Sequence, residues 1–250
     1  MNTSLKKPLV YVTRDIERAL GMEPLGDYFI AANKTPYAES IAARYPDNVL
    51  LVGSKEVLDT YELLSHTDVA GMIARLGAEV IVFQNTSRIE RLAREKGWRL
   101  LNPPAELART VEEKISQVRW LEDDESLLPP HEIRKVKEVS FDGTRFVLQF
   151  NHSHTGEGTY IIDAQAKLDE LVEKFPEREC RITDYIDGPA YTANATVSGD
   201  RTLVGNISFQ ITGLPPFTDR PFSTVGNDWA LPKELLSEKE AGEIRSIAEK

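Results

Sequence analysis

A single cysteine, Cys180, in 250 residues leaves nothing to pair with in an internal disulfide, so the chain gives no sign of an oxidising compartment. Long apolar runs are also missing. The N-terminal stretch MNTSLKKPLVYV has no signal-like apolar core, and no run approaches the roughly 20 residues that cross a bilayer. Basic side chains are in the minority, 30 against 40 acidic ones. The resulting net charge of −10 argues against nucleic acid or an anionic membrane as the main partner, though not against a local basic site. There is no internal repeat and no low-complexity segment. A soluble cytoplasmic protein of one large domain or two ordinary ones is the expectation.

Short apolar strands alternate with amphipathic helices over the first hundred residues. Strands are expected at 8–13, 28–31, 49–53, 80–85 and 98–102. Helices are expected at 37–44, at 56–64 with Ser54 as its cap, at 66–76, and at 87–96 closed by Gly97. That order implies a parallel sheet covered on both faces. Asn102-Pro103-Pro104 breaks the composition and marks a boundary between residues 1–102 and 103–250.

Beyond the break the pattern changes. Residues 105–120 read as two short helices or one bent one, and Pro129-Pro130 punctuates again. Strands are then expected at 139–141, 146–150, 160–162, 180–186, 191–197 and 201–210, mostly joined as hairpins, with one helix at 164–175. The 187–189 turn is expected to send 191–197 back antiparallel, and 213–228 is too rich in Pro and Gly for a regular element. The fold class is therefore α/β followed by α+β. The most informative stretch is FVLQF-NHSHTGEGT-YII, residues 146–162, in which a loop with Gly156 and Gly158 joins two strands. Its backbone can turn several N–H groups into one concavity, which suits phosphate oxygens. Because it joins strand to strand, it is neither a Walker loop nor a dinucleotide fingerprint. Taken alone it also reads as an ordinary hairpin connection.

Four segments in order, LNPPAELARTVEEKISQVRWLED, LPPHEI, FVLQFNHSHTGEGTYI and RITDYIDGPAYTANATVSGDRTLVG, cover most of residues 98–210. Their succession after an α/β domain resembles the ATP-grasp superfamily, in the layout of biotin carboxylase and D-alanine–D-alanine ligase. The resemblance implies a pre-ATP-grasp domain over 1–102 and an incomplete ATP-grasp domain over 103–250, with a lid subdomain at about 120–186. It implies that Lys114 reaches the nucleotide phosphates as a mobile point charge. Gln149 stands where the family's second lysine is expected and brings a donor without charge. Ser153, Thr155, Gly156, Gly158 and Thr159 match the lid over the β- and γ-phosphates, and the backbone of Asp184 and Ile186 matches the strand that binds the adenine edge.

What this implies is an ATP-dependent enzyme that activates a carboxylate as an acyl phosphate for attack by an amine or another nucleophile. Asn206, Ser208, Gln210 and Asn227, with Arg201 and Arg220, could hold the carboxylate. The cofactors implied are ATP and Mg2+, with the magnesium ligands expected beyond residue 250, so that the sequence reads as the front part of such a protein and turnover is not expected of it. A homodimer is compatible with the family. Two other readings stand beside this one. One is a non-catalytic nucleotide- or small-ligand-binding module. The other is a metal-binding or interaction protein using His152 and His154, which would share a face on a strand.

Overall fold

Residues 6–121, 126–151 and 158–250 are described by the computed structural model of the chain. They form two compact units, 1–110 and 111–250. The division falls eight residues past the Asn102-Pro103-Pro104 break, inside a helix.

In the first unit four strands run parallel in the order β3-β2-β1-β4: β1 (Leu9–Val12), β2 (Tyr28–Asn33), β3 (Val49–Val52) and β4 (Glu79–Val82). Both faces are buried, and alternate residues show it. Val10, Val12 and Ala31 enter one core together with α2 (Thr60–Ser65), α3 (Thr67–Leu76) and α4 (Ser87–Lys96). Tyr28, Ile30 and Ala32 enter the other, against a 3₁₀ turn at Ile16–Ala19 and α1 (Pro36–Ala42). The helices begin and end where local chemistry directs. Thr35 and Thr86 cap α1 and α4, and Gly77 and Gly97 close α3 and α4 in the left-handed conformation.

Two expectations fail here for identifiable reasons. The 56–64 helix starts later, at Thr60, because Asp59 and Glu62 exchange two 2.7 Å bonds in a capping box, which Ser54 has no means to match. The 98–102 strand shrinks to one bridge between Val80 and Leu100. Asn102 takes over its pairing: its side chain accepts from Val82 N and donates to Val82 O. Helix α5 (Ala105–Glu112) follows, with Ala105 N donating to the Glu90 carboxylate.

The second unit contains two sheets. The first is antiparallel in the order β5-β8-β6-β7, built from β5 (His131–Lys135), β6 (Phe146–Phe150), β7 (Thr159–Ile162) and β8 (Glu179–Asp184). Helix α7 (Gln165–Lys174) packs on one face, where Leu148, Phe150, Ile162, Leu168, Leu171 and Cys180 are buried together. Helix α6 (Lys114–Trp120) contacts β6 and β8. The second sheet, β11-β10-β9, comprises β9 (Ala190–Ser198), β10 (Arg201–Thr212) and β11 (Thr224–Asp228), and it is packed by α8 (Pro232–Leu235) and α9 (Glu238–Glu249).

Three more expectations are corrected by this topology. Residues 139–141 form no strand, since both sides of β6 are taken by β8 and β7; Val139 and Phe141 pack against the core instead. Strand β9 does not return along β8, whose two edges are occupied by β5 and β6; it pairs with β10 across a turn with Gly199 at φ 65°. The Pro- and Gly-rich segment after β10 ends in a true strand, β11. Its entry is fixed by Gly213, where φ is +62° and an added Cβ would lie 2.7 Å from the Pro221 carbonyl oxygen.

Candidate functional site

Pleating divides the β5-β8-β6-β7 sheet into two unlike faces. Residues paired across strands share a face, so the register reads out its members. Ile133, Arg181, Gln149 and Thr159 form one row across the four strands, and His131, Thr183, Val147 and Ile161 form the next. The apolar residues under α7 belong to the opposite face.

Sequence-distant groups meet on the polar row. Arg181 donates from Nε and Nη2 to Gln149 Oε1, at 3.1 and 2.6 Å, and from Nη1 to the Lys114 carbonyl oxygen at 3.2 Å. An arginine can only donate, so the Gln149 oxygen must face it, and the Gln149 amide group keeps its N–H donors for other use. Asn151, the residue after β6, holds α6 in place. Its Oδ1 accepts from Ile115 N at 2.9 Å and its Nδ2 donates to Glu113 Oε2 at 3.0 Å. Lys114 is thereby fixed at the first position of α6, next to Ile115, which is buried. Lys114 and Arg181 are both half-buried. Burial lowers the Lys114 pKa, the nearby Arg181 charge lowers it further, and Glu112 partly offsets this. Burial also lowers that of Arg181.

Of the residues singled out in the sequence, Lys114, Gln149 and Thr159 are brought to this row. Gly158 immediately precedes β7 with φ 70°, and its carbonyl accepts from Phe150 N at 2.8 Å. Ser153, Thr155 and Gly156 lie outside the described residues, as do His152 and His154. Asp184 ends β8, three residues from Arg181 or roughly 10 Å along the strand. Ile186 lies past the ladder with 70 % of its surface exposed.

Of the groups assigned to a carboxylate, Ser208, Gln210 and Asn227 meet across β10 and β11, and Arg201 does not join them. Ser208 is fully buried and bonds Thr192 Oγ1 at 2.7 Å and Asn227 Oδ1 at 3.2 Å, while Gln210 bonds Thr224. Arg201 opens β10 seven residues earlier, roughly 23 Å from Ser208 along the strand. Arg181 and Asn151 were not singled out at all. The only sequence signal for Arg181 is the alternation within ECRITDY, which becomes legible once β8 is known to pair with β6.

A cleft of about 440 Å³ lies between β10 and α9, lined by Asn206, Trp229 and Arg245 among others, and two more lie elsewhere. One of about 490 Å³ is lined by Glu132, Arg134, Phe146, Ile182 and Asp184 among others. The other, about 420 Å³, lies in the first unit beyond the carboxyl ends of β1 and β4, a common ligand position in parallel sheets. Its arginines are already engaged: Arg18 with Asp15 and the Phe83 ring, Arg14 with Asp15, and Arg88 with the Tyr61 ring. Among the described residues no group of three or more His, Cys, Asp or Glu could hold a metal ion, and no helix is long and apolar enough to cross a membrane.

No family model matches the chain, and no curated protein sequence does either. Solved structures match its fold. Biotin carboxylase from Campylobacter jejuni, in a βγ-ATP complex, aligns with a TM-score of 0.67 at 12 % identity, over 97 % of this chain and 58 % of that one. N5-carboxyaminoimidazole synthetase from Staphylococcus aureus, complexed with ADP, gives 0.60 at 11 % identity, over 99 % and 64 %. D-alanyl-alanine synthetase A from Vibrio cholerae gives 0.57 at 13 % identity, over 98 % and 80 %. The chain thus spans less than two thirds of the length of the first two, and half that of a 2-oxoglutarate carboxylase biotin carboxylase domain from Hydrogenobacter thermophilus.

Proposed function

We propose that this chain, whose fold is that of the ATP-grasp superfamily, binds ATP against the polar face of its β5-β8-β6-β7 sheet and serves a carboxylate ligase. One observation carries the reading. Lys114 and Gln149 come from segments 35 residues apart, and Asn151 with Arg181 locks them together on the face away from the apolar core. In this reading Lys114 meets the phosphates and Gln149 donates to them through its amide. The backbone of Asp184 and Ile186, one strand-length away, takes the adenine edge. Neighbours of the same fold crystallised with ADP or βγ-ATP support a nucleotide over other small ligands.

The reaction proposed is transfer of the ATP γ-phosphoryl group to a carboxylate oxygen, with ADP leaving. The nucleophile, an amine or similar group, then attacks the acyl carbon and expels phosphate. Positioning and charge neutralisation dominate such chemistry. Magnesium would neutralise the phosphates when bound; among the described residues no group of three or more His, Cys, Asp or Glu could hold it. The proposed partners are the nucleotide and a small carboxylate, the proposed compartment is the cytoplasm, and self-association as a dimer is part of the same proposal.

Calorimetric titration with magnesium-ATP tests the reading. Saturable binding is expected, and Lys114→Ala is expected to weaken it about tenfold, roughly 1.4 kcal/mol. An unchanged affinity in that variant would remove Lys114 from the site. Phosphate release on adding carboxylates and amines, assayed on a chain extended to include the expected magnesium ligands, marks a ligase, whereas saturable binding without release by that extended chain marks a module that only binds nucleotide.

A further inference from the structure

The guanidinium of Arg181 differs from the other contacting arginines of the protein in what it touches. Arg99 and Arg134 meet carboxylates, at 2.6 Å in each case, and Arg145 and Arg178 lie over aromatic rings. All three hydrogen bonds of Arg181 end on neutral carbonyl oxygens, two on Gln149 and one on Lys114. Among the described residues no carboxylate contacts it. Neutral acceptors aim a cation but leave its charge uncompensated, and a half-buried charge without compensation is costly. The fold adds to that cost by seating Lys114, a second cation, beside it. An arginine has five N–H donors, of which three are spent here, leaving one on each terminal nitrogen. A rigid fork with two donors to spare, next to a second positive charge, is complementary to a phosphate bridging both.

We infer that Arg181, held in aim by Gln149, supplies the fixed positive charge that binds the nucleotide's phosphates alongside Lys114. The inference rests on the nucleotide reading above and deepens it. It assigns roles to both members of the pair: Arg181 is the phosphate-binding residue and Gln149 its positioning residue. Because Arg181 and Gln149 are direct cross-strand partners, roughly 5 Å apart at Cβ, the charge could sit on either strand with little displacement. That makes the pair exchangeable.

The test compares ATP, adenosine and inorganic tripolyphosphate by calorimetry on the folded protein and four variants. Wild type is expected to bind ATP at least tenfold more tightly than adenosine. Arg181→Gln is expected to lose at least tenfold for ATP and tripolyphosphate with adenosine unchanged, and to show a shallower dependence of ATP binding on salt. Adding Gln149→Lys to Arg181→Gln is expected to restore ATP affinity to within about threefold, whereas Arg181→Lys restores only part. An ATP affinity for Arg181→Gln within twofold of wild type overturns the inference, and so does an equal loss for ATP and adenosine, which is what a strut between α6 and the sheet would give. Should Arg181→Gln not fold, Arg181→Met decides: a loss of at least tenfold for ATP and tripolyphosphate with adenosine unchanged supports the inference, and no loss overturns it. If wild type binds neither ATP nor adenosine, the nucleotide reading fails by itself. Tripolyphosphate binding that is lost in Arg181→Gln would then still support a polyphosphate site, and its absence in wild type would overturn that too.

Discussion

The two faces of the β5-β8-β6-β7 sheet are made from alternate residues of the same strands, yet they are put to opposite uses. Under α7, Leu148, Phe150, Ile162 and Leu168 are almost fully buried, and Phe150 stacks edge-on against Tyr160 and Phe175 at 5.8 and 5.4 Å. Each such side chain contributes roughly 1.5–3 kcal/mol of burial. The other face spends its central row on Gln149 and Arg181, beside Lys114, groups that cost stability when half-buried. One face therefore stabilises the strands so that the other can hold charge in a fixed place.

The comparison breaks if disturbing the faces gives the same result. Leu148→Ala should have the largest effect, a loss of about 2–5 kcal/mol in chemical denaturation, with nucleotide affinity retained at temperatures where the variant is folded. Next comes the alkaline side of the stability curve. Burial, with a smaller contribution from Glu138, pushes the Cys180 thiol up to about 11 from the usual 9.0. A raised folded pKa favours the neutral thiol, so this contribution is complete below about pH 9 and is lost as pH climbs from there towards 11. Cys180→Ala should flatten that part of a stability–pH profile, and native Cys180 should resist thiol reagents at neutral pH until the protein unfolds. The smallest change in stability is expected for Lys114→Ala, within about 0.5 kcal/mol of wild type, although its ATP affinity should fall about tenfold. A Lys114→Ala protein that melts far below wild type would mean that the polar face is structural after all.

Some of this was readable in advance. The hairpin around Gly158 is marked on both sides by β-branched and aromatic runs, and it forms as the pattern implies, with Gln149 opposite Thr159. Helix α7 and its stripe of Leu168 and Leu171 follow from 3.6-residue spacing. Arg181 carries no local signal, because ECRITDY reads as any buried strand until its neighbour is known. Ser208 looked like a ligand-binding hydroxyl, but burial between Thr192 and Asn227 engages it internally. The misplaced return of β9 has the same origin: a Gly-Pro turn is a local signal, whereas which edge a strand joins depends on which edges are already filled.

By itself the sequence determined what depends on neighbours within a few positions: the parallel first unit, the helix ends at Gly77 and Gly97, the glycine hairpin, and the change to antiparallel strands after Asn102-Pro103-Pro104. Only the tertiary structure decided that Lys114, Gln149, Asn151 and Arg181 share one place. Side-chain direction along a strand has period two, so a shift of one residue between β6 and β8 would have turned Arg181 away from Gln149. That register is fixed by the apolar residues on the opposite face, far apart in the chain, and no local pattern carries it.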